Sequence, residues 1–413
     1  MTIPGPCTAG RADTALSLQA ARLRALAAAR PLREVETLPL LAARGRVLAG
    51  PAVAVIDLPP FDNSAMDGFA IHASDLSAGT LRVEGRVLAG DPPGAPLRAG
   101  SVRRIMTGAP VPPGTAAIVM QEHVRRDGIW VHLDAPVRDG ANLRRRGEDQ
   151  PAGAEALAAG HLLSPASMAL LAGCGLVSVS VLRRLRVTLL STGSELREPG
   201  AAIGPGQIVN TNRVLLAALL AEPWIDLEDI GIIADDPAAV RTAIREAAAR
   251  SDVIVSSGGV SAGEADHVLD ALQAEDAALD VLKVAIRPGK PLTVGRVGGA
   301  LWVGLPGNPF AAAVTYTQVA RPALWRTAGL GSMPDLWIPA VSGFDYERTT
   351  VRTEFVPVTW EARDALGRPI LHRLGCGASA SLRPLATARG LAAIPSAQAR
   401  IQPGSLLIFE PVF

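Results

Sequence analysis

The sequence has little cysteine: Cys7, Cys174 and Cys376 are the only three in 413 residues, far apart and in no Cys-x-x-Cys pair. That excludes a disulfide framework and a cysteine-built zinc site, and it implies a reducing compartment. An excess of one charge is also lacking, since 40 Lys and Arg face 39 Asp and Glu for a net charge of +1. Bulk attraction to nucleic acid or to a membrane surface is therefore not expected, and any anion must be held by local clusters. No apolar run reaches the roughly 18 residues of a membrane span. The first residues lack a hydrophobic signal core. Residues 11–30 are Arg-rich like a transit peptide, but Asp13 as N-cap and a Leu16, Ala20, Leu23, Ala27 stripe favour a packed first helix. The six histidines are scattered with no Ser–His–Asp order, and neither GxGxxG nor GxxxxGK[ST] occurs. Covalent triad chemistry, dinucleotide binding and P-loop hydrolysis lose their usual signatures. A soluble, cytoplasmic protein is expected.

What is present is 48% hydrophobic sequence with 41 glycines and 33 prolines, enough for two to four domains rich in turns. Residues 11–50 and 141–182 read as a helical N-terminal domain, the second stretch carrying a capped helix over 164–175 that returns onto the first. Residues 51–140 read as a β-rich insertion, with short strands at 81–87, 116–120 and 129–133. From 183 to 330, strands at 186–190, 230–234, 253–255, 281–286 and 301–305 alternate with helices at 212–220, 238–250 and 310–325. That alternation specifies an α/β domain with a doubly wound, mostly parallel sheet. Residues 331–413 return to short strands and read as a C-terminal β domain.

The stretch that organises these parts is Asp252–Asp266, DVIVSSGGVSAGEAD. Val253, Ile254 and Val255 suit a strand buried on both faces. Ser257, Gly258, Gly259, Ser261 and Gly263 follow, small residues that let backbone N–H groups approach a ligand. In an open α/β sheet the ligand crevice lies at the carboxyl ends of the strands, and this loop is there.

Charged residues recur at that edge. Glu195, Asp235, Glu264 and Asp266 each fall at or just after a strand end, where crowded carboxylates need a compensating cation. With no His or Cys set nearby, the cation is expected to be hard, such as magnesium, held by Glu195, Asp235 and Asp266. Lys283, Arg287 and Lys290 in LKVAIRPGKP supply opposing charge, and Pro306, Gly307 and Asn308 in LPGNP another turn at the same edge. Each has a plainer reading. Asp236 suits a helix cap better than a site, Lys283 an exposed strand position, and Asn308 an N-cap before Pro309. Asp67 in PPFDNSAMDGFAI and Thr107 in IMTGAPVP are ordinary turn residues taken alone. Arg144, Arg145 and Arg146 fit a solvated face or, alternatively, an oxyanion clamp. Joint convergence on one edge would position anions with a metal ion, without a covalent nucleophile.

Taken together, PPFDNSAMDGFAI, RIMTGAPVPPG, RRRGED, LLSTGSEL, GQIVNTN, IIADDP, SSGGVSAGEAD, RPGKP and GLPGNP resemble the molybdopterin molybdenumtransferases, the MoeA and gephyrin E-domain family, over roughly residues 11–330. The resemblance implies a homodimer of four-domain subunits, in which the sheet domain of one copy faces the β-rich insertion of the other. It implies that adenylylated molybdopterin and molybdate give molybdenum cofactor and AMP with magnesium, and that other cofactor-synthesis proteins are partners. Asp67, Thr107, Glu195, Asp235, Asp266 and Lys283 match functional positions of the family. The carboxylates would hold magnesium against pyrophosphate, Lys283 and Arg287 would attract molybdate, Thr107 would bond an oxyanion, and Asp67 would orient it or the pterin. Arg287 stands where the family commonly has Lys, Ser194 where it has Asp, Pro357 where it has Arg, and Cys376 where it has Ser. A scaffold of the same family and a molybdopterin adenylyltransferase are the rival readings. Carboxylates retained at the edge oppose the first, and the two β domains oppose the second.

Overall fold

A computed structural model of the chain describes residues 15–258, 267–331, 337–348 and 351–411. The chain divides into two compact units. One comprises the chain up to Glu36, Gly45–Ala49 and Leu182–Phe413; the other comprises Thr37–Arg44 and Gly50–Val181.

In the first unit, helix α1 (Leu18–Ala28) precedes a six-stranded sheet. Its strands are β1 (Leu185–Thr192), β2 (Ile225–Ile233), β3 (Val253–Ser257), β4 (Ala278–Lys283), β6 (Pro291–Val297) and β7 (Ala300–Leu305). A short strand, β5 (Ile286–Arg287), leaves this sheet for another. The order is β2-β1-β3-β7-β6-β4. The first four run parallel, and β6 is antiparallel to both β7 and β4, so the sheet is mixed. The sequence pattern does not expose β6, because it opens with Pro291 and carries Gly295 and Arg296 among apolar residues. Val253, Ile254 and Val255 are fully buried, as a strand covered on both faces requires. Helices Thr211–Leu219, Pro237–Arg250 and His267–Ala274 alternate with the strands. Asp236 caps the second, accepting from Ala239 N at 2.8 Å, with Pro237 in its first turn. The last helical stretch of the domain is interrupted by a π segment, Tyr316–Ala320, between Pro309–Thr315 and Arg321–Thr327.

The N-terminal expectations need correction. Asp13 lies outside the described residues, and Ser17 caps α1 by accepting from Ala20 N at 3.1 Å. The expected stripe is not the buried one: Ala21 and Ala25 are fully buried, whereas Leu23 is 60% exposed. Small alanines let α1 pack closely on β6 and on the helical stretch from Tyr316 to Thr327. Residues 35–39 are a strand and only Leu40–Ala42 a 3₁₀ turn, so helix does not continue to residue 50. The helix Pro165–Gly173, capped by Ser164, belongs to the second unit and packs there on Glu155–Leu157 and Leu40–Ala42. Helix α1 belongs to the first unit.

The C-terminal strands β8 (Ile338–Ser342), β10 (Thr353–Arg363), β11 (Pro369–Arg373), β12 (Gly390–Ile394) and β14 (Leu406–Glu410) close into a barrel, because β10 pairs with β12 as well as β11. Between them β9 (Tyr346–Glu347) pairs with β13 (Arg400–Ile401). Val356, Val358, Leu371 and Phe409 fill the interior. β5 adds to this sheet beside β10, Ile286 opposite Thr353 and Arg287 opposite Glu354.

In the second unit, Thr115–Met120, Gly68–His72, Ser101–Ile105, Thr80–Val87, Trp130–Leu133 and Val124–Asp127 form a six-stranded sheet in that order. Two small cores, around Phe69 and Ile71 and around Val87 and Ile105, fill its two sides. No helix among the described residues is long and apolar enough to cross a membrane.

Candidate active site

Parallel pairing puts the carboxyl ends of β1, β2, β3 and β7 on one edge of the sheet. β4 is antiparallel to β6, itself antiparallel to β7, so β4 ends on that edge too. Lys283 is its last residue, and exposed. Glu195 and Asp235, both exposed, follow β1 and β2 by two or three residues. Topology alone therefore delivers two of the expected carboxylates and a lysine to a shared lip.

Glu195 lines a cavity of about 350 Å³ with Asn210, Asn212, Ser257, Gly258, Gly307 and Asn308. Its carboxylate folds over Gly193, where a Cβ would stand 2.6 Å and 2.7 Å from the two oxygens. Gly258 has φ +94°, and a Cβ there would approach Thr192 O to 2.9 Å, so any other residue would strain the turn that closes β3 against β1. Buried Asn212 ties the two loops of this cavity together, its Nδ2 donating to Ser257 Oγ at 2.8 Å and to Gly307 O at 2.8 Å.

A second cavity, about 580 Å³, adjoins the first along Gly307, Asn308 and Ala380. Arg287, Lys290 and Arg352 bring three cations to its wall, with Pro306 and the Gly377–Ala380 loop opposite. Asn308 holds that loop: its Nδ2 donates to Ser379 Oγ at 3.0 Å instead of capping the helix at Pro309. The chain's 40 basic residues include just two lysines, Lys283 and Lys290, and both lie at this edge. Where arginine is the default, a lysine marks a need for a compact, strongly hydrated charge.

In the second unit, register explains another pair. Gly68 stands opposite Ile105, so Asp67 and Thr107, just beyond those residues, meet. Asp67 Oδ1 accepts from Thr107 N at 2.7 Å and from Thr107 Oγ1 at 2.8 Å. These two bonds, backbone first, hold the Asp67 carboxyl below the ordinary carboxylate range. It is ionised throughout the neutral range, and what it adds to stability is lost only as pH falls from the ordinary range through its own lower value. Thr107→Val removes one of the two bonds and is expected to raise the Asp67 pKa part-way back. Carboxyl NMR titration checks this, and an unchanged value would mean the hydroxyl bond has no weight. The arginine run divides: Arg145 and Arg146 pair with Asp62 and Asp57, while Arg144 lines a cavity of about 550 Å³ with Asn63, Glu148 and Asp149.

Three family models tile the chain: the MoeA N-terminal region (domain I and II) over residues 16–175, a probable molybdopterin binding domain over 188–326, and the MoeA C-terminal region (domain IV) over 339–411. A molybdopterin molybdenumtransferase 2 of Mycobacterium tuberculosis is 37% identical over 90% of this chain and 93% of its own length. The chain belongs to the MoeA family. A molybdopterin molybdenumtransferase of Haemophilus influenzae is 40% identical over 72% of this chain and 74% of its own. The solved structure of a molybdopterin biosynthesis MoeA protein from Pyrococcus horikoshii OT3 matches with TM-score 0.78 at 26% identity, covering 96% of this chain and all of that one.

Among these MoeA-family features, Asp266, Gly259, Ser261, Gly263 and Glu264 lie outside the described residues. Among the described residues, no group of three or more His, Cys, Asp or Glu side chains is placed to hold a metal ion. Glu195 and Asp235 offer carboxylate oxygens at the lip, a donor type that fits a hard cation. Pro357 is buried in mid-strand opposite Leu391, and the arginine that this C-terminal segment brings to the cavity, beside Arg287, is Arg352. Sequence reasoning missed Arg352 and Asn212 as site residues. The GQIVNTN motif pointed towards the second; nothing local marked the first. Cys376 is exposed beside the Gly377–Ala380 loop.

Proposed function

We propose that this protein transfers molybdenum from molybdate to adenylylated molybdopterin, releasing AMP and molybdenum cofactor. The observation that carries the reading is the pair of adjoining cavities, one lined by Glu195 and small backbone donors, the other walled by Arg287, Lys290 and Arg352. A pyrophosphate suits the first, where Ser257 and Gly258 turn at a strand end. A tetrahedral oxyanion suits the second, because arginine forks and a lysine ammonium both bond oxyanions strongly. The shared wall at Gly307 and Asn308 keeps the two substrates adjacent, the positioning on which such a transfer depends. Glu195 and Asp235, with Asp266, would hold magnesium, whose charge offsets the repulsion between two anionic substrates when bound. Two copies would assemble as a homodimer, Asp67 and Thr107 of one completing the lip of the other, with Asp67 Oδ2, the oxygen that Thr107 does not bond, accepting from a substrate hydroxyl or ring N–H.

The test is AMP release by the purified chain. Release is expected only when adenylylated molybdopterin, molybdate and magnesium are all present. Binding without turnover would support a scaffold, and ATP consumption with free molybdopterin an adenylyltransferase. Either result would refute the proposal.

A further inference from the structure

We propose that Glu354, a buried carboxylate of the C-terminal barrel, is a positioning residue that holds Arg287 at the wall of the basic cavity. The proposal rests on the reading of that cavity as the molybdate site. Glu354 is the second residue of β10 and stands in register with Arg287 of β5. Its side chain is 3% exposed, and Arg287 Nη1 lies 3.7 Å from its Oε2, an ion pair beyond hydrogen-bond reach. The same oxygen accepts from the Tyr346 hydroxyl at 2.5 Å, and Oε1 lies 3.6 Å from Arg348 Nε.

Each neighbour of that carboxylate is itself held. Tyr346 pairs with Ile401 across β9 and β13, and the Arg373 guanidinium sits 4.5 Å from its ring centre. Arg348, 4% exposed, donates to the carbonyls of Pro395, Ser396 and Gln398 at 2.6–2.9 Å and to that of Arg352 at 2.5 Å. Arg352 in turn donates to Ile286 O at 3.3 Å, the residue before Arg287. Burial and the hydrogen bond to Glu354 push the Tyr346 phenol above its ordinary range.

The charge balance supports a directional role. A buried carboxylate needs one compensating cation, and Arg348 already supplies it from within the barrel. Arg287 is different: its side chain is 38% exposed and lines the cavity. A long arginine side chain loses rotamer freedom when it grips an anion. Glu354 removes that loss beforehand, so the guanidinium is aimed before molybdate enters.

The experiment is a double-mutant cycle on the full chain, titrating sodium molybdate by calorimetry. Glu354→Gln is expected to weaken binding about tenfold in the otherwise unchanged protein, and by less than about twofold when Arg287 is already alanine. Tyr346→Phe, which releases the carboxylate but keeps its charge, should weaken binding by less than Glu354→Gln. An equal loss in both backgrounds would show a merely structural role and overturn the proposal, as would unchanged affinity in Glu354→Gln. If Arg287→Ala alone binds molybdate normally, the cavity reading itself fails, a result distinct from failure of the Glu354 effect. Should Glu354→Gln not fold, Glu354→Asp keeps the charge with a shorter reach and runs through the same cycle.

Discussion

Replacing Glu195 by glutamine is expected to lower the rate of AMP release about a hundredfold or more, equivalent to the several kcal/mol that a metal ion contributes to charge stabilisation. The amide keeps the volume and loses the charge, so it can accept a hydrogen bond but holds a hard cation poorly. Glu195 is the described carboxylate that lines the cavity with Ser257, Gly258 and Asn308. Its placement depends on a local device: without a Cβ at Gly193, its carboxylate lies back over the chain towards the β1 terminus. Higher magnesium should recover part of the lost rate, because the variant weakens the ion's binding without removing Asp235 or Asp266. The check is the rate as a function of magnesium concentration. An unchanged maximal rate and unchanged half-saturation would remove Glu195 from the metal site.

The largest expected effect on stability lies behind the lip. Trp302 is fully buried in β7, opposite Ile254 of β3 and Gly295 of β6, and its Nε1 donates to Thr293 Oγ1 at 3.0 Å. It packs with Val240, Ile244, Val268 and Leu272 from the helices covering one face. Trp302→Ala should cost about 3–5 kcal/mol through lost burial and the cavity left behind. Thr293 would also be left with a buried hydroxyl short of one partner. For a unit of this size the melting temperature should fall by roughly 5–9 °C, read by calorimetry. Trp302→Phe should cost less, since it keeps most of the apolar volume. A melting temperature unchanged in Trp302→Ala would contradict the placement of this core.

Much of this architecture is legible in sequence because its signals are local. The apolar run Val253–Val255, the Asp236–Pro237 cap and the alternation from residue 183 each specify their element within a few residues. Glu195, Asp235 and Lys283 could be assigned to one edge because strand direction alone places them there. What failed depended on tertiary partners. The α1 stripe is wrong because alanines, not leucines, face the close helix contact. β6 is hidden because its hydrogen bonds come from flanking antiparallel strands, which override an unpromising pattern. Arg352 and Glu354 reach the site by strand pairing with Ile286–Arg287, a contact between distant parts of the chain that no spacing rule encodes. One usable signal was compositional: in a chain that otherwise uses arginine, lysine at 283 and 290 singles out those positions.

The most direct test of the account is a crystal of the full chain grown with AMP, manganese in place of magnesium, and tungstate in place of molybdate, read by anomalous scattering. The account predicts tungsten among Arg287, Lys290 and Arg352, and manganese against Glu195 on the other side of the Gly307–Asn308 wall. Tungsten bound away from those three cations, or manganese held by carboxylates elsewhere, would contradict it.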